Sequence, residues 1–356
     1  MLRFLIRAVL FSVVFFVICE VFFRCVLVAS EPPNKIFLTN EKLTVYDNIR
    51  QADGVYAVGN FNQIITHWHV NNMGMISKKN YYRSLKKCEV AIIGDSNIEG
   101  LFIRSEDHIA TVLDSMLQPD YEVCSFGLQG SNIAQYIKMM AYAKAKIDPV
   151  VFVLVMKENE FFSASADLQP NPHYAQYRWA EDTHIIDVEP LPFTRDSKTR
   201  ILRTSALVRY LSINRRLIFL VSPELVFNDD KDEKARANID REKYRKKIQI
   251  LNAICQRSLQ QIASVAANKT VIFLCDVDRP GIYNGTWAKP SLTYNLLMGQ
   301  TLSSNFQTID LSKDFNEDYA KHHIPFNYDI DLHFNQYGNR LLARIVCSLI
   351  KENQSK

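Results

Sequence analysis

A chain of 356 residues has room for one large domain with an extension, or for two domains. Its content of 47% hydrophobic and 11% aromatic residues supports a sizeable core and excludes a wholly disordered chain. With 42 basic against 38 acidic residues the net charge is only +4, and no basic cluster offers the footprint that nucleic acid requires.

The N-terminus is the first element with a clear physical reading. Arg3 and Arg7 precede an apolar run over residues 8–29, which as a helix would be about 33 Å long, close to the thickness of a bilayer core. The charge bias places the N-terminus on the cytoplasmic side and exports the remainder. Glu20 and Arg24 interrupt the run, but they stand four apart and can pair on one helix face. The alternative is a cleaved signal peptide, since residues 8–19 have the length of its apolar core. Leu27 and Ala29 make a poor small-x-small cleavage site, and neither Cys19 nor Cys25 follows the small residue that lipoprotein processing wants. A retained single-pass anchor in the cytoplasmic membrane is therefore expected. The catalytic part would then be extracytoplasmic, and periplasmic in a Gram-negative cell.

The seven cysteines form no C-x-x-C pair and most lie in apolar segments, so they read as buried hydrophobes rather than a disulfide framework or a zinc site. Glu31-Pro32-Pro33-Asn34 ends the anchor and opens a connector. Short β-like runs follow at 42–46 and 63–70. His67 and His69 share one side of the second run, a spacing two metal ligands can use, but no third ligand is near and an ordinary strand is the simpler reading.

From Glu89 strands alternate with helices. Strands are expected at 89–94, 121–126, 149–156, 269–276 and 307–311, and helices at 105–117, 131–146, 235–267 and 335–352. Short, wholly apolar runs such as Val150-Val151-Phe152-Val153-Leu154-Val155 suit a parallel sheet covered on both faces. The order predicts a three-layer α/β/α sandwich with a mostly parallel five-stranded sheet, whose reactive residues would lie at the carboxyl ends of strands. The expected division is an anchor over 1–30, a connector and extension over 31–87, and the sandwich over 88–356. An insertion at about 160–235, containing Tyr174, Tyr177 and Trp179, is too long for a simple connection and reads as a lid or substrate wall. The mixed-charge run from Asp229 to Lys247 reads as a solvated helix face.

The chemistry is concentrated at four strand ends. Val90-Ala91-Ile92-Ile93 stops at Gly94-Asp95-Ser96, placing a hydroxyl on a sharp strand-to-helix turn. Serine needs a base, and among eight histidines His333 is the best candidate because Asp331 can orient its ring. An oxyanion needs donors. Gly127 and Gly130 follow the second strand, where glycine allows close backbone approach, and Asn159 follows the third. The expected site is Ser96 as nucleophile, His333 as base and Asp331 as its partner. Ser96 N–H, Gly130 N–H and Asn159 Nδ2 would form the oxyanion hole, with Gly127 as second choice, and Asp95 and Asn97 would support the turn.

In this order the four blocks resemble the SGNH, or GDSL, hydrolase superfamily over roughly residues 70–353, and Asn71-Asn72-Met73-Gly74 is similar to the lead-in of many members. The resemblance implies a flavodoxin-like sandwich, the site residues named above, and no metal or organic cofactor. Two departures stand out. Lys157 and Glu160 occupy the flanking places of a third block that is usually Gly-x-Asn-Asp, and the last block is Asp-x-His, as in relatives acting on exported polysaccharides. Asp331 is preferred to Asp329; with neither in reach, His333 would work in a dyad.

The function expected is a membrane-anchored esterase or O-acyltransferase moving acyl groups, of which acetyl is the one favoured, on an exported carbohydrate. Its partners would be the acylated carbohydrate, the membrane through the N-terminal helix, and an acyl-transporting membrane protein where the reaction is a transfer. Alternatives are a non-catalytic glycan- or partner-binding protein of envelope assembly, and a lipase or thioesterase.

Overall fold

The computed structural model describes residues 1–50, 52–84, 87–180, 184–192, 202–217, 241–300 and 305–354. Two compact units are present, one of Met1–Pro33, Asp53–Trp68 and Thr194–Asn238, the other of Asn34–Ala52, His69–Phe193 and Ile239–Lys356.

In the first unit the N-terminal helix Leu2–Cys25 buries no residue, and with a mean hydropathy of 2.5 over its best window it is long and apolar enough to cross a membrane. Its last two turns are built differently. The Glu20 carboxylate accepts hydrogen bonds from Ser205 Oγ (2.8 Å) and from the Ala206 and Leu207 amides (2.8 and 3.2 Å), capping the helical turn Ala206–Arg209. Arg24 pairs with Glu20 at 2.7 Å and donates to the Thr204 carbonyl at 2.8 Å. Phe23 stacks on Tyr210 with ring centroids 4.4 Å apart. The Glu20–Arg24 spacing thus forms the expected pair, and the carboxylate satisfies amides that a helix start leaves without partners.

The second unit is a doubly wound sandwich. Its elements are β1 (Cys88–Gly94), α1 (Ser96–Glu99), α2 (Ile109–Leu117), β2 (Tyr121–Gly127), α3 (Ile133–Lys146), β3 (Val151–Met156) and α4 (Glu160–Ser163). After the insertion come α5 (Arg241–Ala266), β4 (Thr270–Cys275), β5 (Phe306–Asp310), α6 (Ser312–His322), the hairpin β6 (Asn327–Tyr328) and β7 (Asp331–Phe334), and α7 (Gln336–Gln354). The five long strands form one parallel sheet in the order β2-β1-β3-β4-β5. Alternate residues Val90, Ile92, Val151, Val153, Val155, Ile272 and Leu274 pack against Ile109 and Leu113 of α2, Phe315 of α6, and Leu342 and Val346 of α7. On the opposite face α3 packs with α5. Burial on both faces explains why β1 and β3 read as unbroken apolar runs rather than alternating ones.

All five expected strands are present, so the three-layer parallel sandwich stands. The helix expected at 105–117 begins at Ile109, because the His108 ring caps it by accepting from the Ala110 amide. Of the helix expected at 235–267 and the charged run 229–247, the part before Arg241 lies outside the described residues. Within the insertion, Gln176–Trp179 and Ile185–Val188 form a hairpin.

In a sheet of this order the chain reverses direction between β1 and β3, and the crevice at that switch point is where such folds place ligands.

Candidate active site

The turn that carries Ser96 is built by two glycines that tolerate no side chain. A Cβ at Gly94 would lie 2.4 Å from Ile98 Cγ1, and one at Gly127 would lie 2.1 Å from the Glu99 amide nitrogen. The ends of β1 and β2 therefore close directly onto the backbone of α1. Asp95 leaves the strand, and its Oδ1 accepts from the Asn97 amide at 3.0 Å while its carbonyl accepts from Ile98 and Glu99 at 3.1 and 2.9 Å. Ser96 is thereby the first residue of α1, half-buried, with its N–H among the first-turn amides that have no intrahelical acceptor. Gly100, at φ +88°, ends the turn.

The second block follows β2. The Leu128 amide donates to the Gly94 carbonyl at 3.3 Å, Gly130 takes φ +80°, and Asn132 caps α3 by accepting from Ala134 and Gln135. The third block follows β3. Asn159 is exposed, and its carbonyl accepts from the Phe162 and Ser163 amides at 3.0 and 3.2 Å to start α4. In the fourth block the buried Asp331 contacts His333 Nδ1 and accepts from the His333 amide at 2.8 Å through the same oxygen, Oδ1. The other ring nitrogen, Nε2, is the one turned away from Asp331. The imidazole lies flat on Phe102, ring centroids 3.7 Å apart. Asp329, the other candidate carboxylate, is exposed.

One hydrogen bond joins the first and last blocks: the Phe334 amide donates to Asn97 Oδ1 at 3.2 Å. Asn97 is the neighbour of Ser96 and Phe334 the neighbour of His333, so this bond fixes the register of the Ser96 turn against the His333 segment.

The electrostatics follow from burial and from one lysine. Burial opposes charge on Asp95, but Lys157, with Nζ 3.3 Å from Oδ2, the Asn97 amide and His333 together hold its carboxyl below the ordinary range. Glu160 is wholly buried, and burial pushes its carboxyl up to about 7 although Lys157 pulls it down. Its Oε2 accepts from the Lys157 amide at 3.2 Å and from Tyr136 OH at 3.3 Å. Burial also raises Glu99, which accepts from Tyr46 OH and, at 2.8 Å, from the Gln129 amide. His108 is driven down to about 4 by burial, so it is neutral, and its Nε2–H donates to the Ile98 carbonyl at 3.1 Å.

Five residues here escape sequence reasoning. Phe102, His108 and Glu99 carry no motif. Lys157 and Glu160 signal themselves only as departures from the Gly-x-Asn-Asp pattern, and the structure turns those departures into partners of the buried Asp95 and Tyr136. A wall beside the second block is likewise tertiary: Tyr174 OH donates to the Gln129 carbonyl at 2.5 Å and accepts from Lys35 Nζ at 2.9 Å. Among the described residues no group of three or more His, Cys, Asp or Glu side chains is arranged to hold a metal ion.

The sheet is parallel with strand order β2-β1-β3-β4-β5, and three of the four sequence blocks that resemble the SGNH/GDSL hydrolases follow β2, β1 and β3. Solved structures of similar fold include a lipase from a goat rumen metagenome, at 10% identity and a TM-score of 0.38 over 74% of this chain and 97% of that one. A two-domain esterase active on acetylated mannans aligns at 10% identity and a TM-score of 0.38 over 76% of this chain, which spans only 50% of that enzyme. An acetyl xylan esterase aligns at 16% identity and a TM-score of 0.37 over 74% and 99% of the two chains. Likenesses this loose carry no argument about activity, which has to come from the site. No family model matches the chain, and no curated protein sequence does.

Proposed function

We propose that the protein is a serine ester hydrolase or O-acyltransferase that works through an acyl-Ser96 intermediate on acetyl-type esters of an exported carbohydrate. The observation that carries this reading is the bond from Phe334 to Asn97, which sets an Asp331-oriented imidazole one residue from the tie on one side and Ser96 one residue from it on the other. His333 Nε2 takes the Ser96 proton as Oγ attacks the acyl carbonyl, and Asp331 stabilises the imidazolium. The Ser96 and Gly130 amides and Asn159 Nδ2 receive the oxyanion. His333 then returns the proton to the leaving oxygen. Water resolves the acyl-serine in a hydrolase, a sugar hydroxyl in a transferase.

The apolar helix supports a membrane-anchored enzyme with its sandwich on the outer side. The test is labelling with a fluorophosphonate, followed by release of acetate from acetylated xylan or mannan with and without an acceptor glycan. Labelling of Ser96→Ala equal to that of wild type would sink the reading.

A further inference from the structure

The carboxyl ends of β2, β1 and β3 meet at one cation. Lys157 Nζ lies 3.3 Å from Asp95 Oδ2 beyond β1 and 3.5 Å from the Ser131 carbonyl beyond β2, while Lys157 itself directly follows β3. Asp95 divides its two oxygens between roles, Oδ1 holding the Asn97 amide of the nucleophile turn and Oδ2 the lysine. The Lys157 amide is itself held by the buried Glu160. The Asp95 side chain is only 6% exposed and that of Lys157 30%, so the pair is far less screened than a surface salt bridge.

We propose that Lys157 is a positioning residue that sets the two backbone donors of the oxyanion hole, the amides of Ser96 and Gly130, at their working separation. The ammonium reaches the Ser96 turn through Asp95 and the Gly130 loop through the carbonyl of its next residue, Ser131. Oxyanion donors act only if they are held where charge develops, so a loosened frame lowers turnover while leaving binding of the ester unchanged. This inference rests on the reading of Ser96 as nucleophile.

The experiment compares wild type, Lys157→Met, Lys157→Arg and Ser96→Ala on p-nitrophenyl acetate, with kcat expressed per serine titrated by fluorophosphonate. In K157M, kcat per titrated serine falls about 100-fold, the scale of one lost oxyanion donor. KM stays within about twofold of wild type, and K157R recovers kcat to within about fivefold because guanidinium restores the charge and both contacts. A merely structural lysine would lower the titratable fraction and the melting temperature, not kcat per titrated site. The inference is overturned if K157M keeps kcat per titrated serine near wild type, or if K157R is as slow as K157M. Should K157M not accumulate, Lys157→Gln, which can donate to Ser131 without carrying the charge, reads the same quantity. Failure of the underlying reading looks different: wild type is then no more reactive than S96A.

Discussion

At the scale of single residues, the Ser96 hydroxyl, the His333 imidazole and the Asp331 and Glu160 carboxyls stand in distinct environments. Replacing Ser96 by Ala is expected to abolish fluorophosphonate labelling and ester hydrolysis while leaving the melting temperature within a few degrees, since the side chain fills no core. Asp331→Asn should keep the fold but reduce kcat by roughly 10³-fold, because an amide oxygen and amide NH₂ no longer select the Nδ1–H tautomer of His333; steady-state kinetics on an acetyl ester checks this. Glu160 gives a pH signature. Its carboxyl sits at about 7 in the fold against an ordinary 4.5. Between those values the folded chain holds a proton that the unfolded chain has released, so stability falls as pH rises through that window. In Glu160→Gln this contribution to the slope disappears, and denaturant titrations at pH 4.5 and pH 8 should show the variant gaining about 3 kcal/mol relative to wild type. Ser96, Gly130 and Asn159 are legible in the sequence as candidates because each follows a strand, and His333 because Asp331 precedes it by two residues. Lys157, Glu160, Phe102 and His108 are not. Their roles depend on which strand ends become neighbours, and that is set by strand order rather than by spacing along the chain.

At the scale of elements, the strands announce themselves because burial on both faces demands unbroken apolar runs, as in Val151–Met156. The helix boundaries are less legible: His108 is an uncommon cap, and nothing local reveals that it ends the turn before α2. The closest fit is between the end of β2 and the α1 turn. Gly127→Ala would drive a methyl into the Glu99 backbone, where no flexible side chain can yield. The expected cost is about 3 kcal/mol, accompanied by a loss of activity at temperatures where the protein stays folded. A thermal melt combined with kinetics below the transition tests this, and an unchanged melting temperature would refute the close-packed turn.

At the scale of the whole chain, the first unit is drawn from three separated stretches, a division that no composition shift reports. The apolar helix is legible from its length and hydropathy, whereas its attachment is not, because Glu20 finds its acceptor-seeking amides near residue 206. Those contacts argue for a helix kept in the mature protein: cleavage near Ala29 would discard Glu20, Phe23 and Arg24 and uncover Tyr210. Intact mass spectrometry of the membrane-extracted protein is expected to find the helix still present, and a species beginning near Ser30 would refute it. The cap on Glu20 also orders events in time. The amide of Ala206 follows the carboxylate it binds by 186 residues, which at roughly 5–20 residues per second is about 10–40 s of synthesis. The helix is therefore made long before its partner leaves the ribosome, and the first unit can close only after β1, β2 and β3 of the sandwich have already been made.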